Sequence, residues 1–220
     1  MGRQGAGPDA KDDNPMAKIG IVYFSGYGHT AKQAEAVHAG AAGVSGVEVT
    51  DFVIGQDGNL PEGAWDALAG QDAIIYGSPT YMGGPAWQFK KFADESSKPW
   101  IARAWQDKIA AGFTNSGSRC GDKLSTLVQL ALFAAQHGMH WISLALPPAN
   151  CSTTGSEDDL NRLGFWLGAG AQSNTDQGPD AAPPESDLAT ARHLGQRVAE
   201  TTLQFVLGRA TARRNSREQQ

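Results

Sequence analysis

Three stretches of this chain set small, hydroxylated and glycine residues directly behind apolar runs. They are Ser25-Gly26-Tyr27-Gly28-His29-Thr30, Ser78-Pro79-Thr80-Tyr81-Met82-Gly83-Gly84 and Asn115-Ser116-Gly117-Ser118-Arg119-Cys120-Gly121. The first follows Lys18-Ile19-Gly20-Ile21-Val22-Tyr23-Phe24 and precedes a helical pattern. A turn in that place presents unpaired backbone N–H groups and the positive end of a helix dipole, which suits a phosphate. It is not a nucleoside-triphosphate loop, because GxxxxGK[ST] needs a lysine and Lys32 comes only after Thr30. It is not a dinucleotide turn either: Gly26-Tyr27-Gly28 supplies GxG, but the third glycine is missing. A response-regulator sheet needs acids at the ends of its first and third strands, where this chain has Phe24-Ser25 and Gly77-Ser78.

What remains is a cradle of hydroxyls and amides without a charged lysine, suited to one buried phosphate monoester. Flavin mononucleotide (FMN) fits that description. Its ring would extend toward the other two turns, where Tyr81 and the thioether of Met82 could cover one face.

The elements that must position these turns read as alternating strands and helices. Strands are expected at Lys18 to Phe24, Val47 to Val53, Asp72 to Gly77, Lys108 to Thr114 and Met139 to Leu146. Helices are expected at His29 to Gly43, around Ala64 to Ala69, Pro85 to Asp94, Leu124 to Gln136 and Asp187 to Leu207. The first strand is apolar on both faces, as a central parallel strand is. The pattern predicts an α/β fold: a doubly wound five-stranded parallel sheet, order 2-1-3-4-5, with helices on both faces. Ligands in such sheets bind at the carboxyl ends of the strands, where all three turns lie. Residues 147–184 form a long irregular excursion, and loops of that length are functional or mobile. Residues 1–17 read as a disordered leader, 18–208 as the folded domain and 209–220 as a disordered basic tail.

The 220 residues, 40% hydrophobic and 19% charged, suffice for one such domain. A net charge of −5 with no basic stripe inside the folded region excludes non-specific nucleic-acid binding. No apolar run is long enough to span a membrane. The two cysteines, Cys120 and Cys151, form no CxxC pair, and the N-terminal segment has no apolar signal core. A cytoplasmic setting with free thiols is the resulting expectation.

Taken together, the sequence resembles the flavodoxin-like superfamily, and within it the WrbA-type NAD(P)H:quinone oxidoreductases and NADPH-dependent FMN reductases. The likeness rests on Tyr23 to Thr30, Gly77-Ser78-Pro79-Thr80, Phe113-Thr114-Asn115-Ser116-Gly117, His137-Gly138-Met139 and the closing stretch from Leu167 to Pro184. It implies that Ser25, Gly26, Tyr27, Gly28, His29 and Thr30 hold the FMN phosphate. Pro79, Thr80, Tyr81, Met82 and Gly83 would lie along the ring and ribityl chain. Asn115, Ser116, Gly117, Ser118, Arg119 and Cys120 would follow the pyrimidine edge. Gln136 stands where the family has a flavin-facing histidine, and Trp100 where it has a substrate-contacting tryptophan from a neighbouring subunit. The resemblance also implies NADPH or NADH as electron donor, a quinone or flavin as acceptor, and a homodimer or homotetramer. No metal is implied and no side chain is singled out as catalytic. WrbA-type chains carry a longer insertion between the second and third strands; here only Gly55 to Gly70 fills that place.

Overall fold

The computed structural model describes residues 16–218. The elements in chain order are β1 (Ala17–Tyr23), α1 (His29–Ala42), β2 (Val47–Val53), α2 (Ala64–Ala69), β3 (Ala73–Tyr81), β4 (Gly84–Pro85) and α3 (Trp87–Glu95). They continue with α4 (Ser97–Ile101), β5 (Ile109–Ser116), α5 (Lys123–Gln136), β6 (His140–Trp141), β7 (Ala169–Gln172) and α6 (Glu185–Glu218).

The sheet runs β2-β1-β3-β5-β6, with β7 also pairing in parallel with β5 and the two-residue β4 folded back antiparallel on β3. This is the expected doubly wound sheet. Strand side chains alternate between faces, and here they feed two cores. Ile19, Ile21, Tyr23 and Ile75 join Val37, Leu194 and Val198 of α1 and α6 on one side. Val22, Phe24, Ile74 and Tyr76 join Phe89, Phe92, Trp105 and Leu130 on the other. Burial on both faces explains the continuous apolar runs of β1, β3 and β5.

Three expectations need correction. The fifth strand is not Met139 to Leu146 but two short pieces, one after the other along the same edge of β5. His140 and Trp141 pair with Ile109 and Ala110, while Ala169 to Gln172 pair with Phe113 to Ser116. After Ile142, whose N–H still reaches the Ala110 carbonyl, Leu144 bonds the Trp166 carbonyl instead. The small residues before β7 let it sit so close: a Cβ at Gly168 would lie 2.1 Å from the Gly112 carbonyl oxygen.

Second, β3 and β5 run on through Tyr81 and Ser116, so Ser78, Pro79, Thr80, Asn115 and Ser116 are strand residues rather than turn residues. Third, α6 does not stop at Leu207 and leave a disordered tail, but stays helical to Glu218. Residues 209–218 contain no proline or glycine to end it. The Arg209 guanidinium also lies 4.3 Å from the Phe205 ring and donates to the Asp107 carbonyl at 2.7 Å. Of the expected leader 1–17, residues 1–15 lie outside the described residues, and Ala17 already belongs to β1. No helix among the described residues is long and apolar enough to cross a membrane.

Candidate functional site

The first turn connects β1 to α1, and its backbone is prepared for an anion. Ser25 Oγ accepts the N–H groups of Gly28 and Ala31, each at 3.1 Å. Both lone pairs are thereby used, and the hydroxyl proton is left to donate outward. Gly28 turns the chain into the helix at φ +90°, a left-handed conformation that glycine adopts without strain. The N–H groups of Gly26, Tyr27, His29 and Thr30 find no partner among the described residues. Thr30 is only 2% exposed, yet its hydroxyl also makes no hydrogen bond there. The first turn of α1 carries no acidic residue, and Lys32 is engaged by Glu35 at 2.9 Å. Unpaired donors converging at the start of a helix suit an acceptor-rich ligand.

The second segment reverses direction at Met82 (φ +49°) and Gly83 (φ +81°), after which Gly84 and Pro85 pair back on Tyr81 and Thr80. Ser78 Oγ fixes this reversal by accepting the Ala86 N–H and donating to the Pro79 carbonyl, both at 2.9 Å. Thr80 Oγ1 lies 2.8 Å from Thr114 Oγ1 and 2.7 Å from Thr126 Oγ1, a buried relay of hydroxyls joining β3, β5 and α5. The Tyr81 ring meets Tyr27 edge-on at 6.3 Å. Its hydroxyl roofs Gly26 so closely that a Cβ there would lie 2.5 Å from it.

The third segment leaves β5 and is held from below. Asn115 Nδ2 donates to Ser173 Oγ at 2.9 Å, and the Ser173 N–H donates to the Ser116 carbonyl at 3.0 Å. Lys123, fully buried at the start of α5, donates to Ser116 Oγ and to the Ser118 carbonyl, each at 2.6 Å. Burial pulls its ammonium down to about 8.

A fourth segment also reaches the site. Residues 173–179, just after β7, cover the first turn: His29 Nε2 donates to the Gln177 carbonyl at 2.8 Å, and Pro179 lies against Gly28. Ser173, Thr175, Gln177 and Gly178 line the cavity although none was expected there. The signal was present. Gly168-Ala169-Gly170-Ala171 followed by Ser173-Asn174-Thr175 repeats the order of apolar run, then hydroxyls, seen at the other three turns. It is short enough to be lost inside the long excursion.

These four segments enclose a cavity of about 640 Å³, within the range of small-molecule sites. Of the expected residues, Tyr27, His29, Thr30, Pro79, Thr80, Tyr81, Asn115, Ser116 and Gly117 line it. Ser25, Gly26 and Gly28 frame the first turn behind them. Met82 is fully exposed and, like Gly83, does not line the wall. Ser118 serves as a carbonyl for Lys123, Arg119 pairs at 2.8 Å with Glu157 in the excursion, and the Cys120 thiol is free and exposed.

Trp100 and Gln136 are not brought to this cavity within one chain. They line a separate groove of about 440 Å³ with Phe89, Leu132, Phe133 and His137, and Trp100 Nε1 donates to the Gln136 carbonyl at 2.9 Å. The reason is length: α5 leaves the third turn and has 14 residues, so its far end lies about 20 Å away. His137 is a core residue beside Ser96 (Nε2 to Oγ 2.9 Å) and Trp105 (ring centroids 4.4 Å apart), and burial lowers its pKa to about 4. Among the described residues, no cluster of His, Cys, Asp or Glu could hold a metal.

The orphaned amides and the Thr30 hydroxyl fit a phosphate monoester, and the hydroxyl- and amide-lined cavity beyond them fits a polar-edged ring system. The comparisons with known proteins agree with this chemistry. A family model for NADPH-dependent FMN reductase matches residues 28–147. The chain is 48% identical over 184 residues to flavodoxin FldP of Pseudomonas aeruginosa, covering 84% of this chain and 96% of that one. It is 30% identical over 210 residues to an NAD(P)H dehydrogenase (quinone) of Geotalea daltonii, covering 87% and 100%. The crystal structure of a WrbA-like flavodoxin from Agrobacterium tumefaciens superposes with a TM-score of 0.69 at 46% identity, covering 86% of this chain and 98% of that one. On its sequence and its sheet, the chain belongs to the NADPH-dependent FMN reductase family of flavodoxin-like proteins.

Proposed function

We propose that this chain is an FMN-dependent NAD(P)H oxidoreductase that reduces quinones or free flavin by two-electron transfer. The observation that carries this reading is the set of four unpaired N–H groups around Thr30, opening into a cavity walled by three strand ends. Gly26, Tyr27, His29, Thr30 and the Ser25 proton would hold the phosphate. Thr80, Tyr81, Asn115, Ser116 and Gly117 would line the ring. FMN, when bound, supplies the redox chemistry by taking hydride from a nicotinamide and passing electrons to an acceptor. The protein's own work is to bind, orient and exclude water. The His29–Gln177 bond and the Pro179–Gly28 contact clamp residues 173–179 over the phosphate end. The Thr80–Thr114–Thr126 relay keeps β3 and β5 in register beneath the ring.

The mouth of the cavity supports a small planar acceptor. Tyr27 and Tyr81, which line it, are exposed, aromatic and uncharged. A carrier that docks on a basic protein partner relies instead on acidic charge around its flavin. The competing reading, a one-electron flavodoxin-type carrier, is favoured by the name of the 48% identical relative. A non-catalytic flavin-binding scaffold is the third alternative. Purified protein should carry or take up FMN and oxidise NADPH or NADH with benzoquinone present. A protein that takes up no FMN would sink the whole reading. Photoreduction that halts at one electron, with no NAD(P)H oxidation, would favour the carrier, and bound FMN with no electron transfer at all the scaffold.

We further propose a homodimer or homotetramer, because Trp100 and Leu132 expose apolar surface beside the second groove. Light scattering on a sizing column tests this, and a monomer at all concentrations would refute it. A cytoplasmic setting suits the two free, exposed cysteines.

A further inference from the structure

Lys123 is the most unusual charge in the molecule. It is completely buried, and no carboxylate among the described residues forms an ion pair with it. The acid that acts on it is Asp187 of α6. Its carboxylate is already taken by Arg162, through Nε and Nη2 at 2.9 Å each, and by the Gln172 N–H at 2.8 Å. The ammonium donates two of its three protons, to Ser116 Oγ and the Ser118 carbonyl. The Phe165 ring lies 6.0 Å away, and the other charged or titratable groups acting on it are Cys120 and Arg162. A buried cation with no counterion is costly unless something else supplies the negative charge.

Its position shows where that charge would come from. Ser116, which takes one of the two bonds, lines the cavity, and Gly117 and Ser118 continue the same loop. We propose that Lys123 is a positioning residue for the redox chemistry: held beneath the 116–118 loop, it stabilises the negative charge that reduction brings into the cavity. This rests on the FMN reading given above. A hydride delivered to a neutral oxidised ring adds two electrons and one proton, so the site gains one negative charge while the nicotinamide leaves with the balancing positive charge. In a low-dielectric pocket a fixed cation one hydroxyl away favours that state. The Ser116 hydroxyl lies between the two: Nζ donates to its oxygen at 2.6 Å, and its own proton goes to the Ser118 carbonyl of the same loop at 3.3 Å. The sequence hides this role, since a lysine after Asp122 at a helix start reads as an ordinary surface residue.

The test is the midpoint potential of bound FMN in wild type, Lys123→Met and Lys123→Gln, alongside the affinity of each for oxidised FMN. Methionine removes charge and hydrogen bonds; glutamine keeps a donor and removes the charge. Both variants should favour oxidised over reduced FMN about tenfold more than wild type does, a fall of about 30 mV for a two-electron couple. The potential is read on folded, loaded protein, so a partial loss of stability does not mimic the effect. Equal weakening of both redox forms, leaving the potential unchanged, would show a purely structural role and overturn the proposal. So would a potential that rises, or the failure of both variants to fold by circular dichroism. If wild type itself takes up no FMN, the functional reading fails first, which is a distinguishable result.

Discussion

Thr30 shows how much a single hydroxyl can carry. It is buried and unpaired, so replacing it with valine removes no bond within the protein and leaves the fold intact. The loss should fall on the ligand: a hydrogen bond to a charged group is worth about 1.5–3 kcal/mol. Thr30→Val should therefore bind FMN at least tenfold more weakly, as measured by quenching of flavin fluorescence. His137 carries a different signal. Burial lowers its pKa to about 4, while in the unfolded chain it titrates near 6.5. Between those values the unfolded state binds the extra proton, so stability falls as pH drops below about 6.5 and levels off near 4. The loss should reach at most about 3 kcal/mol. Urea unfolding across that range should show the slope, and His137→Gln should flatten it. Legibility at this scale was uneven. Ser25 to Thr30 announced themselves because residue type and chain position agreed. Trp100 and Gln136 came only from the resemblance, and sequence similarity does not say which chain of an assembly a side chain serves.

At the level of elements, the sheet order and both cores could be read because β1, β3 and β5 are buried on both faces and have no polar alternation to confuse them. The fifth strand could not be read correctly. Met139 to Leu146 is apolar enough to be a strand, but its second half pairs with Trp166 while Ala169 to Gln172 from the excursion, three of them small, take the place beside β5. No local propensity separates these outcomes; the fit of Gly168 against the Gly112 carbonyl decides them. Gly168→Ala should therefore push β7 outward, costing about 1–3 kcal/mol in denaturant unfolding, the usual range for overpacking. It should also weaken FMN binding, because Ser173 and the cover over the phosphate end move with β7. The same reasoning explains the second turn. Its glycines were legible, but the strand's continuation through Ser78-Pro79-Thr80 depends on Thr114 and Thr126, which are 34 and 46 residues from Thr80.

For the whole molecule, ligand and fold are linked through the same segments. FMN at a hundredfold excess over its dissociation constant should stabilise the protein by about 2.7 kcal/mol, raising the melting temperature by about 5–11 °C for a chain of this size. A thermal melt with and without FMN measures it. The split fifth strand has a consequence for chain continuity. Between its halves the backbone travels through the exposed tip 151–154, where the sheet does not depend on the chain being whole. Everything before the tip holds most of the sheet and all three expected turns with their strands in full. Everything after it supplies β7, the cover over the phosphate end, Asp187 and the helix that packs on α1. A protease nick at 151–154 should thus leave two peptides clasped together, with the flavin lying across their seam. Separated in denaturant, neither peptide alone should recover the yellow colour; mixed and refolded together, they should, so the cofactor would act as a reporter of reassembly.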